Sequence, residues 1–345
     1  MNTHNSCSQY LRCPRCHSPL INEDCTSCGE VFRNTLGILD LRWPRPSRDF
    51  GEEKLIEEML EQYESSTFMQ LSELVSRHRF LDFSEDLQEH LRRRSSNVDQ
   101  LAQRMMDMFQ YQLAKYYTIP RTFFALDVGC GYGTSSIALS RRFDWVLGLD
   151  PYLPVLLLAK KSLEERGITN VILIQANAQN IPLRNECVDY AVAQNVIEHL
   201  IDVKPALCEA RRVLNQGGCF CGDSRNRYDL FFPEPHVKLR WVGLFPRTLQ
   251  SWYVRRFKNV SYEEWHARLL SWWELRRCAR HAFGRSTRIV LPLASAYGQP
   301  SYLDKWIERI ESVPILRESM QLFFPSLLLV AQSDQPLNPT VKTDD

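Results

Sequence analysis

No stretch of the 345 residues reaches the roughly 18 apolar positions that a membrane span requires, and no basic segment followed by an apolar core stands at the beginning. The sequence therefore predicts neither a transmembrane helix nor a secretory leader, and a cytoplasmic protein is the expectation. An excess of either charge is missing too. Forty-two Lys and Arg against 41 Asp and Glu leave a formal net charge of +1, which offers no global attraction to nucleic acid or to an anionic membrane. Internal repeats and low-complexity tracts are absent. So is a regular disulfide framework: the 11 cysteines are odd in number, and four sit in two tight pairs near the start, which fits metal ligation better than a secreted scaffold.

With 44% hydrophobic and 24% charged residues, the chain has the composition of a globular protein with one large domain and one or two small ones. Four zones follow: a small cysteine-bearing domain over 1–45, a helical cap or linker over 46–119, a large domain over 120–333, and a polar tail over 334–345 expected to be disordered. In the second zone, Phe50 to Met69 and Val98 to Tyr117 carry apolar residues at every third or fourth position (Leu101, Met105, Met108, Phe109, Leu113, Tyr116), the stripe of a core-facing helix. After Pro120 the pattern becomes strand, glycine turn, helix: Phe123 to Val128, then Thr134 to Arg142. It recurs with strands expected at Trp145 to Asp150, Val171 to Gln175, Val188 to Asn195 and Cys219 to Asp223, and helices to Arg166 and over Asp202 to Leu214. Trp272 to Phe283 reads as helix, Thr287 to Leu291 and Ser326 to Ala331 as strands, with a helix near Leu303 to Ser312. Strands alternating with helices of this length predict an α/β fold, a mainly parallel sheet covered on both faces.

Cys13-Pro14-Arg15-Cys16 and Cys25-Thr26-Ser27-Cys28 are two C-x-x-C pairs, each able to place two thiolates on one metal through a tight knuckle. Four thiolates make a closed tetrahedral Zn2+ site, and a segment of about 30 residues has too little core to fold without one. Two disulfides or a redox pair are the competing readings; no βαβ unit surrounds these cysteines to support the latter. A closed site is structural, so no catalytic role is assigned to it. Cys7, Cys130, Cys187, Cys208, Cys219, Cys221 and Cys278 read as core or loop thiols.

The loop Asp127-Val128-Gly129-Cys130-Gly131-Tyr132-Gly133 follows the first strand of the large domain, where open α/β sheets bind ligands. Its glycines run G-x-G-x-G, one residue short of the dinucleotide fingerprint. The acid Asp127 just ahead of the loop suits a cationic amino-acid moiety and would repel a pyrophosphate. Asp150, ending the second strand, can accept hydrogen bonds from ribose hydroxyls.

These motifs, with Leu147-Gly148-Leu149-Asp150, Asn177-Ala178-Gln179-Asn180-Ile181-Pro182-Leu183 and Gln194-Asn195-Val196-Ile197-Glu198-His199-Leu200, resemble the successive motifs of class I S-adenosylmethionine (SAM)-dependent methyltransferases of the type related to ubiquinone and menaquinone synthesis. The resemblance covers roughly residues 120–333. It implies a doubly wound, mainly parallel seven-stranded sheet, Rossmann-like, carrying an N-terminal zinc ribbon and a helical cap. It also implies a SAM site in which Asp127, Gly129, Gly131 and Gly133, with Cys130 between them, hold the methionine portion and Asp150 the ribose. Asn177 stands where many members have an acid toward the adenine amino group, Ala178 and Ile181 line the adenine slot, and Asn195 ends the fourth strand near the sulfonium. For Asn195, Glu198 and His199, helix capping or packing is the alternative role. Gly29 to Phe32 and Leu36 to Leu41 look like the closing strands of the zinc domain that accompanies some methyltransferases.

On the acceptor side, Asn226-Arg227…Glu234-Pro235-His236-Val237…Gly243-Leu244-Phe245-Pro246-Arg247 resembles a block of the same loose group, which names no substrate. His236 is the candidate general base for a hydroxyl acceptor, with a plain loop histidine as the alternative. An acceptor loop rich in Phe, Trp and Pro suggests an apolar pocket and a small-molecule O-methyltransferase. Two other readings stand beside it. One is an RNA methyltransferase, since Lys238, Arg240, Arg247, Arg255, Arg256 and Lys258 are interleaved with Trp241, Phe245, Trp252, Tyr253 and Phe257. The other is a noncatalytic methyltransferase-fold partner that docks another protein through its zinc ribbon.

Overall fold

The computed structural model describes residues 8–21, 23–45, 52–79, 98–118, 123–200, 202–234, 237–258, 268–297, 299 and 301–333. The chain divides into two compact units, Met1–Met106 with Arg121–Tyr190, and Asp107–Pro120 with Ala191–Asp345. The expected tail over 334–345 lies outside the described residues.

In the first unit the strands are β1 (Asn34–Thr35), β2 (Ile38–Asp40), β3 (Phe124–Val128), β4 (Trp145–Asp150) and β5 (Val171–Gln175), ordered β1-β2-β5-β4-β3. Except for the β1/β2 hairpin, these pairings are parallel. All five residues of β3 are buried, as a strand covered on both faces must be. Parallel neighbours need crossovers, and two short helices supply them here: α4 (Thr134–Ser140) and α5 (Leu153–Glu165).

Helix α5 buries nine of its 13 residues, far more than the stripe of a surface helix. Preceding helices α1 (Glu53–Glu61) and α2 (Phe68–Arg79) cover it: Leu55, Met59, Tyr63, Phe68, Leu71 and Val75 share one core with Leu156, Leu157 and Leu163. Tyr63 donates its hydroxyl to Glu164 at 3.0 Å, and Lys161 Nζ donates to the Tyr63 carbonyl at 2.8 Å. The single helix expected over Phe50 to Met69 is therefore two. The break has a local cause, a capping box in which Thr67 Oγ1 accepts from the Gln70 amide while Gln70 Oε1 accepts from the Thr67 amide.

The small cysteine-bearing segment packs through its own strand onto the large sheet. β2 pairs in parallel with β5, Leu39 opposite Ile174 and Asp40 opposite Gln175. The expected strand at Gly29 to Phe32 does not form; the hairpin partner is Asn34–Thr35, joined to β2 through Leu36 and Gly37, both with positive φ. Helix α3 (Val98–Ala114) and strand β6 (Val188–Ala193) each carry the chain from one unit into the other.

The second unit contains helix α6 (Val203–Val213), the long strand β7 (Leu214–Arg225), helices α7 (Arg247–Lys258) and α8 (Trp272–Phe283), strand β8 (Thr287–Val290), helices α9 (Tyr302–Ser312) and α10 (Pro314–Phe323), and strand β9 (Ser326–Gln332). β9 lies between β7 and β8, antiparallel to both. Helix α8 starts at a capping box between Ser271 and Glu274, whose carboxyl is drawn down to about 2 despite partial burial by the Ser271 amide and hydroxyl and by Arg247.

Candidate functional site

The first unit places the glycine loop at the carboxyl end of β3. Gly129, Gly131 and Gly133 have φ of 68°, 50° and 79°, the left-handed region that costs a Cβ-bearing residue roughly 1–2 kcal/mol. Gly133 is also the N-cap of α4, and a Cβ there would lie 3.2 Å from the Ala159 Cβ of α5. The Cys130 amide donates to the Leu149 carbonyl at 2.9 Å, and its side chain is buried, where burial first and the charges of Asp127 and Asp150 next push the thiol well up.

Asp150 ends β4 half-buried, with Oδ2 accepting from the Gly131 amide at 3.1 Å and Oδ1 from the Tyr152 amide at 2.9 Å. One carboxylate thus ties the tip of the glycine loop to the next strand. Asp127 lies deeper, 1% exposed, and Oδ2 accepts from the Ser136 hydroxyl at 2.6 Å. Burial raises its carboxyl to about 7, the Ser136 hydroxyl and amide offsetting part of the rise and Asp150 adding to it. A carboxyl so placed is poised between neutral and charged near neutral pH, and a cation brought alongside would tip it to the charged form.

After β5 the chain turns at Asn177, whose carbonyl accepts from the Asn180 amide at 3.1 Å; Ala178 and Ile181 are buried. The Ala176 amide donates to the Asp150 carbonyl at 3.1 Å, joining this turn to the end of β4. The sequence-derived residues Asp127, Gly129, Cys130, Gly131, Gly133, Asp150, Asn177 and Ala178 therefore all stand at or just after the carboxyl ends of β3, β4 and β5.

The four N-terminal cysteines converge. The Sγ atoms of Cys13, Cys16, Cys25 and Cys28 all lie within 4.8 Å of one another, with Cys13 to Cys28 at 3.6 Å and Cys16 to Cys25 at 3.4 Å. A disulfide would bring sulfurs to about 2.05 Å, whereas thiolates about 2.3 Å from a central Zn2+ stand about 3.8 Å apart in a tetrahedron. The donor set and spacing fit a tetrahedral metal. The Ser18 hydroxyl and amide draw the Cys16 thiol down, while burial pushes Cys13 up.

In the second unit Asn195, just after β6, has φ of 52°, and its amide donates to the buried Asp223 Oδ1 at 2.8 Å. A non-glycine residue held in that region is a strained position of the kind that clusters at functional sites. Glu198 is buried and His199 exposed in the short 3-10 turn Ile197–His199. His236 lies outside the described residues.

Beyond β7, Asn226 donates to the carbonyls of Gln321 and Leu322, both at 3.1 Å. Arg227 donates to the Gly243 carbonyl at 2.9 Å and the Phe245 carbonyl at 3.0 Å, so its guanidinium braces the Trp241–Phe245 loop. A small crevice of about 20 Å³, room for roughly one water, is lined here by Arg225, Asn226, Arg227, Asp229, Phe232, Glu234, Trp241 and Gly243 among others. Nearby, Phe231 and Phe232 are half exposed at 48% and 50%, and burial raises the Asp229 carboxyl. Ser136, Asp223 and Asn180 stand outside the sequence-derived set; Asp223 and Asn180 meet partners far along the chain, whereas Ser136 reaches back nine residues to Asp127. Only Asn180 had a signal, its place inside the Asn177–Leu183 motif.

Residues 126–222 match the methyltransferase domain family described as "Methyltransferase domain". Among curated relatives, the uncharacterized methyltransferase YcgJ of Bacillus subtilis is 29% identical over 142 residues, 41% of this chain and 53% of that protein. A ubiquinone biosynthesis O-methyltransferase of Methylobacterium is 31% identical over 128 residues, 37% of this chain and 51% of that protein. The chain thus spans about half the length of the curated relatives it matches. The crystal structure of the Bacillus YcgJ protein aligns with a TM-score of 0.41 and 18% identity over 67% of this chain and 100% of that one. Over residues 126–222 the chain is thus similar to a methyltransferase domain.

Proposed function

We propose that this protein transfers the methyl group of SAM to a hydroxyl of a small molecule. The observation that carries the reading is the left-handed glycine loop at the end of β3, tied through Gly131 to the acid that ends β4, inside the segment that matches the methyltransferase domain. Backbone at Gly129, Cys130, Gly131 and Gly133 holds the methionine portion, with Asp127 supplying the negative charge beneath it. Asp150 receives the ribose, and Asn177 and Ala178 the adenine; Asn195, which the resemblance assigns to the sulfonium, belongs to the second unit.

Methyl transfer from a sulfonium is an in-line displacement, in which positioning and removal of the acceptor's proton are the protein's main tasks. His236 is assigned as the base that takes the hydroxyl proton. The name of the Methylobacterium relative, an O-methyltransferase of ubiquinone biosynthesis, supports oxygen as the acceptor atom. The four-cysteine cluster holds a structural Zn2+.

One observation favours a second reading. Helix α7 leaves Trp252 and Phe257 each 60% exposed beside exposed Arg255, Arg256 and Lys258, the mixture that stacks bases and holds phosphates. Incubation with methyl-labelled SAM, a panel of catechols, quinols and sugars, and total RNA separates the two. Label in an extractable small molecule, lost in His236→Ala with cofactor affinity retained, supports the first reading; label confined to RNA sinks it.

A further inference from the structure

We propose that the four-cysteine cluster, when it holds its metal, clamps the segment 176–183, with Asn180 as the positioning residue, so that metal loss loosens the segment and weakens cofactor binding. Only the cofactor clause rests on the function proposed above.

Asn180 stands three residues beyond Asn177, and its side-chain amide reaches out of the turn to two carbonyls of the cysteine-bearing segment, Pro14 at 2.9 Å and Trp43 at 3.3 Å. Pro14 lies in the knuckle between Cys13 and Cys16, and Trp43 lies just beyond β2. A single side chain therefore bridges both ends of the metal-binding segment and the turn assigned to adenine. The Arg12 amide donates to the Pro182 carbonyl at 3.0 Å, and the Arg184 amide donates to the Tyr10 carbonyl at 2.9 Å, with Leu11 bridged antiparallel to Leu183. Upstream, the Leu41 amide donates to the Gln175 carbonyl at 2.7 Å, and Gln175 Nε2 donates to the Pro151 carbonyl at 2.9 Å, next to Asp150.

Residues 175–184 are thus gripped at both ends and in the middle by residues 10–14 and 41–43. Cys13 lies in the first of those stretches, and Cys16, Cys25 and Cys28 lie between the two along the chain. The cysteine-bearing segment buries Cys13, Cys25, Phe32 and Leu41, while its Ile38 packs into the core of α1, α2 and α5, and a segment with so small a core of its own draws order from the metal. Without the metal, the carbonyls of Pro14 and Trp43 lose their fixed positions, and the hydrogen bonds of Asn180 go with them. Energetic coupling of this kind is reciprocal, so bound cofactor should in turn slow the loss of metal to a chelator.

Hydrogen exchange by mass spectrometry on the full chain, zinc-loaded and zinc-stripped under reducing conditions, tests this alongside Asn180→Asp, which keeps the side chain's size but sets a carboxylate against the two carbonyls. Two hydrogen bonds of ordinary strength correspond to roughly tenfold. Amides over 176–183 are expected to exchange about tenfold faster in the stripped protein and in Asn180→Asp, with β4 and α5 unchanged, and the SAM Kd to rise by about fivefold or more in both. Equal exchange over 176–183 in loaded and stripped protein overturns the clamp. Should stripping also unfold β4 and α5, metal-replete Asn180→Asp decides, and wild-type exchange and affinity there overturn it. Tight SAM binding indifferent to metal and to Asn180 refutes the coupling and leaves the proposed function standing. Absence of SAM binding in the zinc-loaded wild type refutes that function, while the exchange data still judge the clamp.

Discussion

The Ser136 hydroxyl donates a 2.6 Å hydrogen bond to the carboxyl of Asp127, and neither residue is more than 1% exposed. The carboxyl is raised by burial from 3.8 to about 7, so the folded protein prefers it neutral. Its contribution to stability is then fully present below the unfolded value and is lost as pH rises through the folded one. Between about pH 4 and 7 this group should lower the unfolding free energy by up to about 1.4 kcal/mol per pH unit. Asp127→Asn, which keeps an acceptor for Ser136, should remove that slope. Urea unfolding across this range checks it, and an unchanged slope in the variant refutes the assignment.

Cofactor binding should run the other way with pH. A cation held near Asp127 stabilises the ionised carboxylate, so below about pH 7 binding releases up to one proton and tightens as pH rises, levelling off above that. Calorimetric titration in buffers of differing ionisation enthalpy counts the proton. No release, with an affinity flat in pH, would place the cation away from Asp127.

Replacing one cysteine of the cluster should cost both metal and stability. Cys25→Ser leaves three thiolates, and the bound-zinc stoichiometry should fall from one toward zero, with the thermal midpoint lower by roughly 5 °C or more. Calorimetry with a zinc-release dye measures both; an unchanged midpoint would make the cluster dispensable.

Gly243 sits where no side chain fits, since a Cβ would fall 1.6 Å from the Arg227 carbonyl oxygen. Backbone must move to admit it. Gly243→Ala should destabilise the protein by about 3 kcal/mol, in the upper range for overpacking, and weaken acceptor binding more than SAM binding. Denaturant unfolding and the KM for any acceptor found read the two effects.

Much of this was legible in the sequence because period and caps are local. The buried run of β3, the glycine turn and helix α8, with its Ser271 cap and Glu274 three residues on, follow from neighbouring residues alone. The break between α1 and α2 was also written there, in Thr67 and Gln70, but the apolar stripe from Phe50 to Met69 masked it. Pairing of β2 with β5 was not legible, since a three-residue strand has no period and its partner lies far along the chain. Nor did the sequence reveal that Asp127 is sealed from solvent, because burial belongs to the packed structure and not to the residue.

The central claim is that the glycine loop and Asp150 form a SAM site. Isothermal titration of zinc-loaded protein with SAM and S-adenosylhomocysteine, with NAD and Asp150→Ala as controls, tests it most directly. Micromolar binding of both sulfur cofactors is expected, with none of NAD and a loss of about tenfold or more in Asp150→Ala, which leaves two backbone amides without their carboxylate. Absence of SAM and S-adenosylhomocysteine binding in folded, zinc-loaded protein would contradict it and put a noncatalytic role for this fold in its place.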